Sequence, residues 1–129
     1  MTKKLITSGA KWEPIVGYSR AVVVDNIMEI AGTTATEEGM VLFPGEPDKQ
    51  TEFILALFKR ILEENSFALE DVVRTRVYLT NMNDWEKVGP IHGQFFGKIR
   101  PASTMLEVSA LVDKEMLVEI EATAIRSEK

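Results

Sequence analysis

The sequence of 129 residues contains no cysteine. This absence excludes a disulfide framework, a thiolate nucleophile and a zinc site built on cysteine. A single histidine among scattered acidic residues gives no spacing typical of a metal site, and no glycine-rich phosphate loop is present. We therefore expect neither a metal nor a cofactor.

Long apolar runs and an excess of basic residues are also missing. No stretch approaches the roughly 18 apolar residues of a membrane span, and the two lysines near the start precede no apolar segment. The 15 Lys and Arg against 20 Asp and Glu give a net charge of -5. Because nucleic acid is bound by clustered basic residues, this balance argues mildly against such a partner. We expect a soluble, cytoplasmic protein with no membrane partner, and the charge balance disfavours nucleic acid as a partner.

The length and composition predict one globular domain over residues 1–129. Hydrophobic residues make up 45% and charged residues 27% of the chain, which is typical of globular proteins. A chain of this length can bury a hydrophobic core but is short for two domains.

Three β-strands are indicated in the first two thirds of the chain. Residues 19–24 and 27–31 are rich in β-formers and flank Asp25-Asn26, which predicts a hairpin. Residues 39–48 form a loop rich in Gly and Pro. Residues 72–80 alternate, so one face of a third strand holds Val73, Thr75, Val77 and Leu79, and the other holds Arg74, Arg76 and Tyr78.

Two amphipathic helices are predicted between the strands. The first carries an apolar stripe of Phe53, Ile54, Leu57, Phe58, Ile61 and Leu62. The second, capped by Asn83 or Asp84, carries a stripe of Trp85, Val88, Ile91, His92, Phe95 and Phe96. Pro90 lies within that stripe and removes a backbone donor, so a kink or break is expected at Gly89-Pro90.

The last strand has two unlike faces. Alternation over residues 116–126 places Val118, Ile120, Ala122 and Ala124 on one face and Leu117, Glu119, Glu121, Thr123 and Ile125 on the other. The mixed second face fits a subunit interface lined by a polar site, or an exposed face with scattered apolar residues.

Two blocks of the chain resemble one protein family. They are Arg100-Pro-Ala-Ser-Thr-Met-Leu-Glu with the later Glu119-Ile-Glu-Ala, and Gly17-Tyr18 with Ala31-Gly32. This pattern resembles the Rid group, the YjgF-like reactive intermediate deaminases, over nearly the whole chain. The resemblance implies an α+β, chorismate-mutase-like fold, with a mixed β-sheet and two helices packed on one face. It also implies a homotrimer with clefts between adjacent subunits.

The resemblance further implies a small-molecule site in each cleft. Glu119 would be the catalytic residue that positions or deprotonates water, and Tyr18 and Gly32 match ligand-facing positions. Four positions depart from the archetypal deaminase, which has Arg, Ser, Asn and Cys where this chain has Ser103, Ala31, Gly89 and Met105. In the archetypal reaction an imine or enamine is hydrolysed to a keto acid and ammonia.

Ser103 replaces the residue that holds the substrate carboxylate. A neutral hydroxyl offers one donor, whereas guanidinium offers a charged, bidentate pair. The loss of such a hydrogen bond predicts binding weakened by roughly 10- to 150-fold for carboxylate substrates. Arg20 or Arg100 is a candidate substitute, although a long charged side chain is more often a solvated surface residue.

Other polar residues leave two interpretations open. Arg74 and Arg76 can bind ligand or pair with Glu119 and Glu121 across the sheet. His92 can line the site or serve as a hydrogen-bonded packing residue on its apolar stripe.

Three functions remain compatible with the sequence. The first is a deaminase-like or related hydrolase acting on a small imine, enamine or amide. The second is a trimer that binds a metabolite without turnover, which the missing Arg favours. The third and weakest is a ribonuclease or translation inhibitor, because the chain shows no acid, base and basic-patch constellation.

Overall fold

The computed structural model of the chain describes residues 2–127. The strands and helices follow in the order β1 (Lys3–Ile6), β2 (Ala21–Val24), β3 (Ile27–Thr33), β4 (Thr36–Glu37), β5 (Met40–Val41), α1 (Pro47–Glu64), β6 (Val72–Leu79), α2 (Trp85–Phe96), β7 (Ala102–Glu107) and β8 (Val118–Ile125). A π-helical turn, Glu13–Gly17, precedes β2. None of the helices in residues 2–127 is both long and apolar enough to cross a membrane.

Six strands form one mixed sheet in the order β1-β2-β3-β8-β6-β7. All neighbouring pairs are antiparallel except β6 and β7, which run parallel and are joined through α2. β4 and β5 form a separate two-stranded ribbon. The fold is therefore α+β with a mixed sheet, as predicted.

Both helices cover the same face of the sheet. The buried core combines inward residues of the strands with Ile54, Leu55 and Phe58 of α1 and with Val88 and Phe96 of α2. In β8 the inward residues are the four small apolar ones predicted, and all are buried: Val118, Ile120, Ala122 and Ala124. The alternate residues of β8 lie on the outer face, which no helix covers.

The start of β6 departs from the predicted alternation. The pairing of β6 with β8 shifts between Val72 and Arg74, so Val73 is a bulge residue. Val72 is buried in the core, whereas Val73 is 43% exposed. The prediction that Val73 faces the core was wrong because an extra residue at a bulge reverses the facing of what precedes it.

The start of the second helix also differs from the prediction. A short 3₁₀ turn, Met82–Asp84, leads into α2, and the Asn81 side chain accepts a hydrogen bond from the Asn83 backbone N–H at 3.0 Å. Neither Asn83 nor Asp84 caps α2 through its side chain, and Trp85 is exposed rather than packed.

Pro90 does not break α2. The helix continues from Trp85 to Phe96 with Pro90 inside it, so of the kink or break predicted at Gly89-Pro90 the break was wrong, and the kink stays a prediction. Pro90 removes only its own backbone donor, and the buried side chains of Val88 and Phe96 anchor the helix on both sides of it.

Candidate functional site

Glu119 lies in the middle of β8 on the outer face of the sheet and is half-buried. Burial raises the pKa of this carboxyl above its ordinary value, and the nearby Glu121 raises it further. Arg20 acts in the opposite direction because its positive charge favours the carboxylate. Glu119 is thus a partly desolvated acid with a cation close by, an arrangement common at catalytic carboxylates.

Gly32 makes room for the Glu119 side chain. The register of β3 against β8 shifts between Ile30 and Thr33, so Ala31 and Gly32 form an irregular segment. A Cβ atom added to Gly32 would overlap the Glu119 carboxylate, and Oε2 would be the atom struck first. The carboxylate therefore lies directly against the Gly32 backbone, and any side chain at this position would force the carboxylate to move.

Arg20 is buried and held on several sides. Its Nη1 donates to the Gly32 carbonyl at 2.8 Å and to the Thr33 hydroxyl at 2.7 Å. Its Nη2 lies 3.4 Å from the Tyr18 hydroxyl. With 8% of its surface exposed, Arg20 is not the surface residue that one interpretation of the sequence allowed.

Glu13, at the start of the π-helical turn, is the counter-charge of Arg20. The Arg20 Nε and Glu13 Oε2 are 3.7 Å apart, and both side chains are almost fully buried. Burial alone would raise the pKa of Glu13, but hydrogen bonds from Ser8 and Thr7, together with Arg20, hold that pKa below its ordinary value. No sequence pattern indicated this pair, because the turn that places Glu13 has no apolar periodicity.

The remaining polar groups of the outer face are paired with one another. Arg76 Nε lies 3.8 Å from Glu121, and the Tyr78 hydroxyl donates to Glu121 at 2.7 Å. That hydrogen bond, with burial, raises the pKa of Tyr78. Arg74 donates to the Thr104 hydroxyl at 2.6 Å. The interpretation of these arginines as cross-strand partners therefore describes Arg76, which pairs with Glu121 rather than Glu119.

Ser103 lies on the other side of the sheet from Glu119. It pairs in register with Thr75, which in turn pairs with the buried Ala122. The Thr75 hydroxyl donates to Ser103 Oγ at 2.7 Å and lies 2.9 Å from His92 Nε2 of α2. Sequence reasoning missed Thr75 as a site residue, although a threonine among the inward valines of β6 was visible.

The His92 ring packs against Phe96, with 4.8 Å between ring centroids. Burial lowers the pKa of His92, so the imidazole is neutral at neutral pH. Met105, on the same sheet face as Ser103, packs against the core, and Gly89 lies within α2. Arg100 is exposed in the turn before β7 with φ 55°.

The candidate site residues thus form two groups in one chain. The first, around Glu119, contains Tyr18 and Arg20 just before β2, Ala31 and Gly32 in β3, and Glu119 in β8. The second, at the β7 edge beside α2, contains Gly89, His92, Arg100, Ser103 and Met105. Glu119 and Ser103 lie on opposite faces of the sheet, so one chain does not bring them to a common ligand.

No cluster of three metal-ligating side chains occurs within residues 2–127. Glu121 is instead paired with Arg76 and Tyr78, and Arg20 is the cation near Glu119 itself.

Comparison with known proteins identifies the family to which the chain belongs. Residues 8–126 match the family described as endoribonuclease L-PSP. A RutC family protein of Pyrococcus abyssi is 35% identical over 127 residues, covering 98% of this chain and 99% of that protein.

Two solved structures share the fold over nearly the whole chain. One is Rv2704 of Mycobacterium tuberculosis, described as a member of the YjgF/YER057c/UK114 family, with 40% identity, a TM-score of 0.87 and coverage of 97% of this chain and 100% of that one. The other is YyfA of Yersinia pestis, described as a protein of unknown function of the conserved Rid family, with 30% identity, a TM-score of 0.84 and coverage of 97% and 100%.

Proposed function

Since this chain belongs to the endoribonuclease L-PSP family, which includes the YjgF and Rid proteins, we propose that it hydrolyses a small imine or enamine with Glu119 as the catalytic residue. The observation that carries the proposal is the half-buried Glu119 carboxylate, seated on Gly32 and next to the cation of Arg20. Partial burial makes a carboxylate a better base, while Arg20 keeps enough of it ionised to act.

The reaction needs little more than a positioned water molecule. As the water oxygen bonds to the imine carbon, Glu119 takes one water proton and passes it to the nitrogen, which keeps the electron pair of the broken C=N π bond. Glu119 then moves the remaining hydroxyl proton to that nitrogen as the C–N bond breaks and the carbonyl forms. An enamine first becomes the imine by protonation at carbon. The products are a carbonyl compound and ammonia, so atoms and charge balance without a cofactor. Tyr18, whose hydroxyl lies 3.4 Å from Nη2 of Arg20, supplies a hydroxyl for the ligand.

The site is completed between subunits of a homotrimer in this proposal. Two observations support an intersubunit cleft: Glu119 and Ser103 lie on opposite sheet faces, and the uncovered outer face carries Leu5, Ile27, Leu106 and Ile125. A second chain can bring its β7 edge to the Glu119 group of the first. The number three comes from the resemblance to the Rid group.

Substitution of Glu119 by the isosteric Gln tests the proposal. We expect Glu119→Gln to keep the oligomer and ligand binding while removing turnover of a small imine, measured as ammonia release. The melting temperature and light-scattering mass of the same preparation separate a catalytic role from a structural one. Full activity of the variant on a substrate of the wild type would contradict the proposal.

A second candidate function is a trimer that binds a metabolite without turnover. The observation that favours it is the neutral hydroxyl of Ser103, already bonded to Thr75, at the position where the resemblance to the Rid group implies a ligand-binding Arg. Under this alternative Glu119→Gln changes ligand affinity, and the wild type releases no ammonia from any imine that binds.

A further inference from the structure

Ser103 is the outer end of a chain of three neutral side chains. Thr75, which is fully buried, connects the exposed Ser103 to His92 through contacts of 2.7 and 2.9 Å. The three residues come from β7, β6 and α2, so the chain crosses from the helix layer to the edge of the sheet.

The hydrogen-bond directions along this chain are linked. A hydroxyl has one hydrogen, so a Thr75 that donates to Ser103 must accept from the Nε2–H of His92. The Ser103 hydrogen then remains available to a ligand. When His92 carries its hydrogen on Nδ1, every bond reverses, and Ser103 accepts from the ligand instead. Hydrogen bonds in such a row polarise one another, so the hydrogen bond that Ser103 makes to a ligand is strengthened.

The chain carries no charge. Burial lowers the pKa of His92, so the ring stays neutral and supports both directions. In the described part of the molecule no hydrogen bond or ion pair joins a charged side chain to these three residues. Arg74, in register with Ala102, bonds instead to Thr104 on the opposite face. Within one chain, a carboxylate at Ser103 would therefore lose hydration without gaining a cation from these three residues.

Resting on the proposed function, which brings the ligand to position 103, we propose that this chain selects a carboxamide where other members of the fold bind a carboxylate. A carboxamide offers both an acceptor oxygen and a donor nitrogen, as the reversible Ser103 end does. The substrate class is then the imine or enamine of a 2-oxo amide rather than that of a 2-oxo acid.

Titration with pyruvamide and pyruvate, the matched amide and acid, tests the selection by calorimetry on the intact oligomer. We expect the wild type to bind pyruvamide roughly tenfold more tightly than pyruvate. Ser103→Arg should reverse the order, and Ser103→Ala should weaken pyruvamide by roughly 3- to 10-fold without affecting pyruvate. Equal or tighter binding of pyruvate by the wild type overturns the inference, as does binding of neither probe. If Arg100→Ala then removes pyruvate binding, Arg100 is the clamp.

Thr75 provides a test of the buried part of the chain, since it acts as a positioning residue without touching ligand. Thr75→Val should lower the ratio of pyruvamide affinity to pyruvate affinity toward the ratio measured for Ser103→Ala. Thr75→Ser, which keeps the hydroxyl, should retain the wild-type ratio. Thr51→Val is the matched control, because Thr51 is equally buried and bonds only the Pro47 carbonyl of its own helix. An unchanged preference in a folded Thr75→Val protein, or an equal change in Thr51→Val, contradicts the role of the chain; if Thr75→Val does not fold, Ser103→Ala decides.

The two proposals fail in different ways. If the wild type turns over no imine and the preference for the amide persists in Glu119→Gln, the hydrolase function is excluded and the carboxamide selection stands. Turnover of a 2-imino acid that depends on Glu119, with tighter binding of pyruvate, would do the reverse.

Discussion

At the scale of single residues, the contact between Gly32 and Glu119 is the most sensitive point of the candidate site. Gly32→Ala should displace the carboxylate, since the new methyl group would occupy the place of Oε2. We expect loss of imine turnover with a decrease of only about 1 kcal/mol or less in the free energy of unfolding, because the flexible end of the Glu119 side chain can move aside. Gly93→Ala is the control, because a Cβ at Gly93 meets nothing within 4 Å in α2. It should raise stability by about 0.5–1 kcal/mol in urea unfolding.

The pKa of Glu119 gives a second prediction at this scale. A base must be ionised, so turnover should rise with pH through the raised pKa of Glu119, above the reference value of 4.5. Stability changes in the opposite sense. Between pH 4.5 and the raised pKa, the folded chain binds the proton of Glu119 more tightly than the unfolded chain does, so the contribution of Glu119 to the free energy of unfolding falls as pH rises. Rate profiles and urea unfolding against pH measure both effects. In Glu119→Gln this contribution to the pH dependence of stability should disappear.

The ion pair of Arg20 and Glu13 should behave as a unit. Arg20→Gln removes the cation beside Glu13, which keeps its hydrogen bonds from Thr7 and Ser8, and should cost about 1–3 kcal/mol in urea unfolding. The double substitution with Glu13→Gln should cost less than the sum of the two single ones. Additive costs would show that the pair is not coupled in the folded protein.

At the scale of helices and strands, the sequence predicted the elements that carry a clear periodicity. The hairpin around Asp25, both helices and the alternation of β8 are confirmed, because each buries one continuous face. β1 was missed because Lys3, Lys4 and Leu5 are all exposed, so no pattern marks an edge strand of this kind. The two irregularities that shape the sheet, at Val73 and at Gly32, depend on pairing with β8 and have no local signal.

The candidate site residues also differ in how far the sequence predicted their positions. Glu119 and Gly32 were identified through family resemblance, but their contact depends on the register between β3 and β8. The burial of Arg20 depends on Glu13, seven residues earlier in a turn without periodicity. Side chains that meet through tertiary pairing are thus the part that spacing along the chain does not reveal.

Pro90 tests how far α2 is supported by packing. Pro90→Ala restores the backbone donor toward Glu86 and removes the clash of the ring with that carbonyl. Part of the gain is offset, since alanine leaves the unfolded chain more flexible. We expect a net rise of about 1–2 kcal/mol in the free energy of unfolding. Gln94→Ala, at an exposed position of the same helix, should change it by only a few tenths. A loss of stability in Pro90→Ala would mean that α2 is shaped to fit the ring.

At the scale of the whole molecule, the outer sheet face is the proposed contact surface between subunits. Apolar side chains there alternate with polar groups that are already paired, such as Arg76 with Glu121, so the face can be covered without leaving charges unpaired. A proposed homotrimer buries this face and brings the Ser103 group of one subunit to the Glu119 group of the next.

Charge placed on this face should separate the subunits and disable the site together. Leu106 and Ile125 are 50% and 43% exposed on the outer face, whereas Met40 is exposed on β5, outside the six-stranded sheet. Light scattering of the wild type should give three times the chain mass of 14.5 kDa at micromolar concentration. Leu106→Glu with Ile125→Glu should give the mass of one chain and lose binding of both pyruvamide and pyruvate, since burying two acids opposes association. Met40→Glu should keep both the mass and the binding. A monomeric wild type would exclude the homotrimer, and binding that survives in the monomeric variant would place the complete ligand site within one chain.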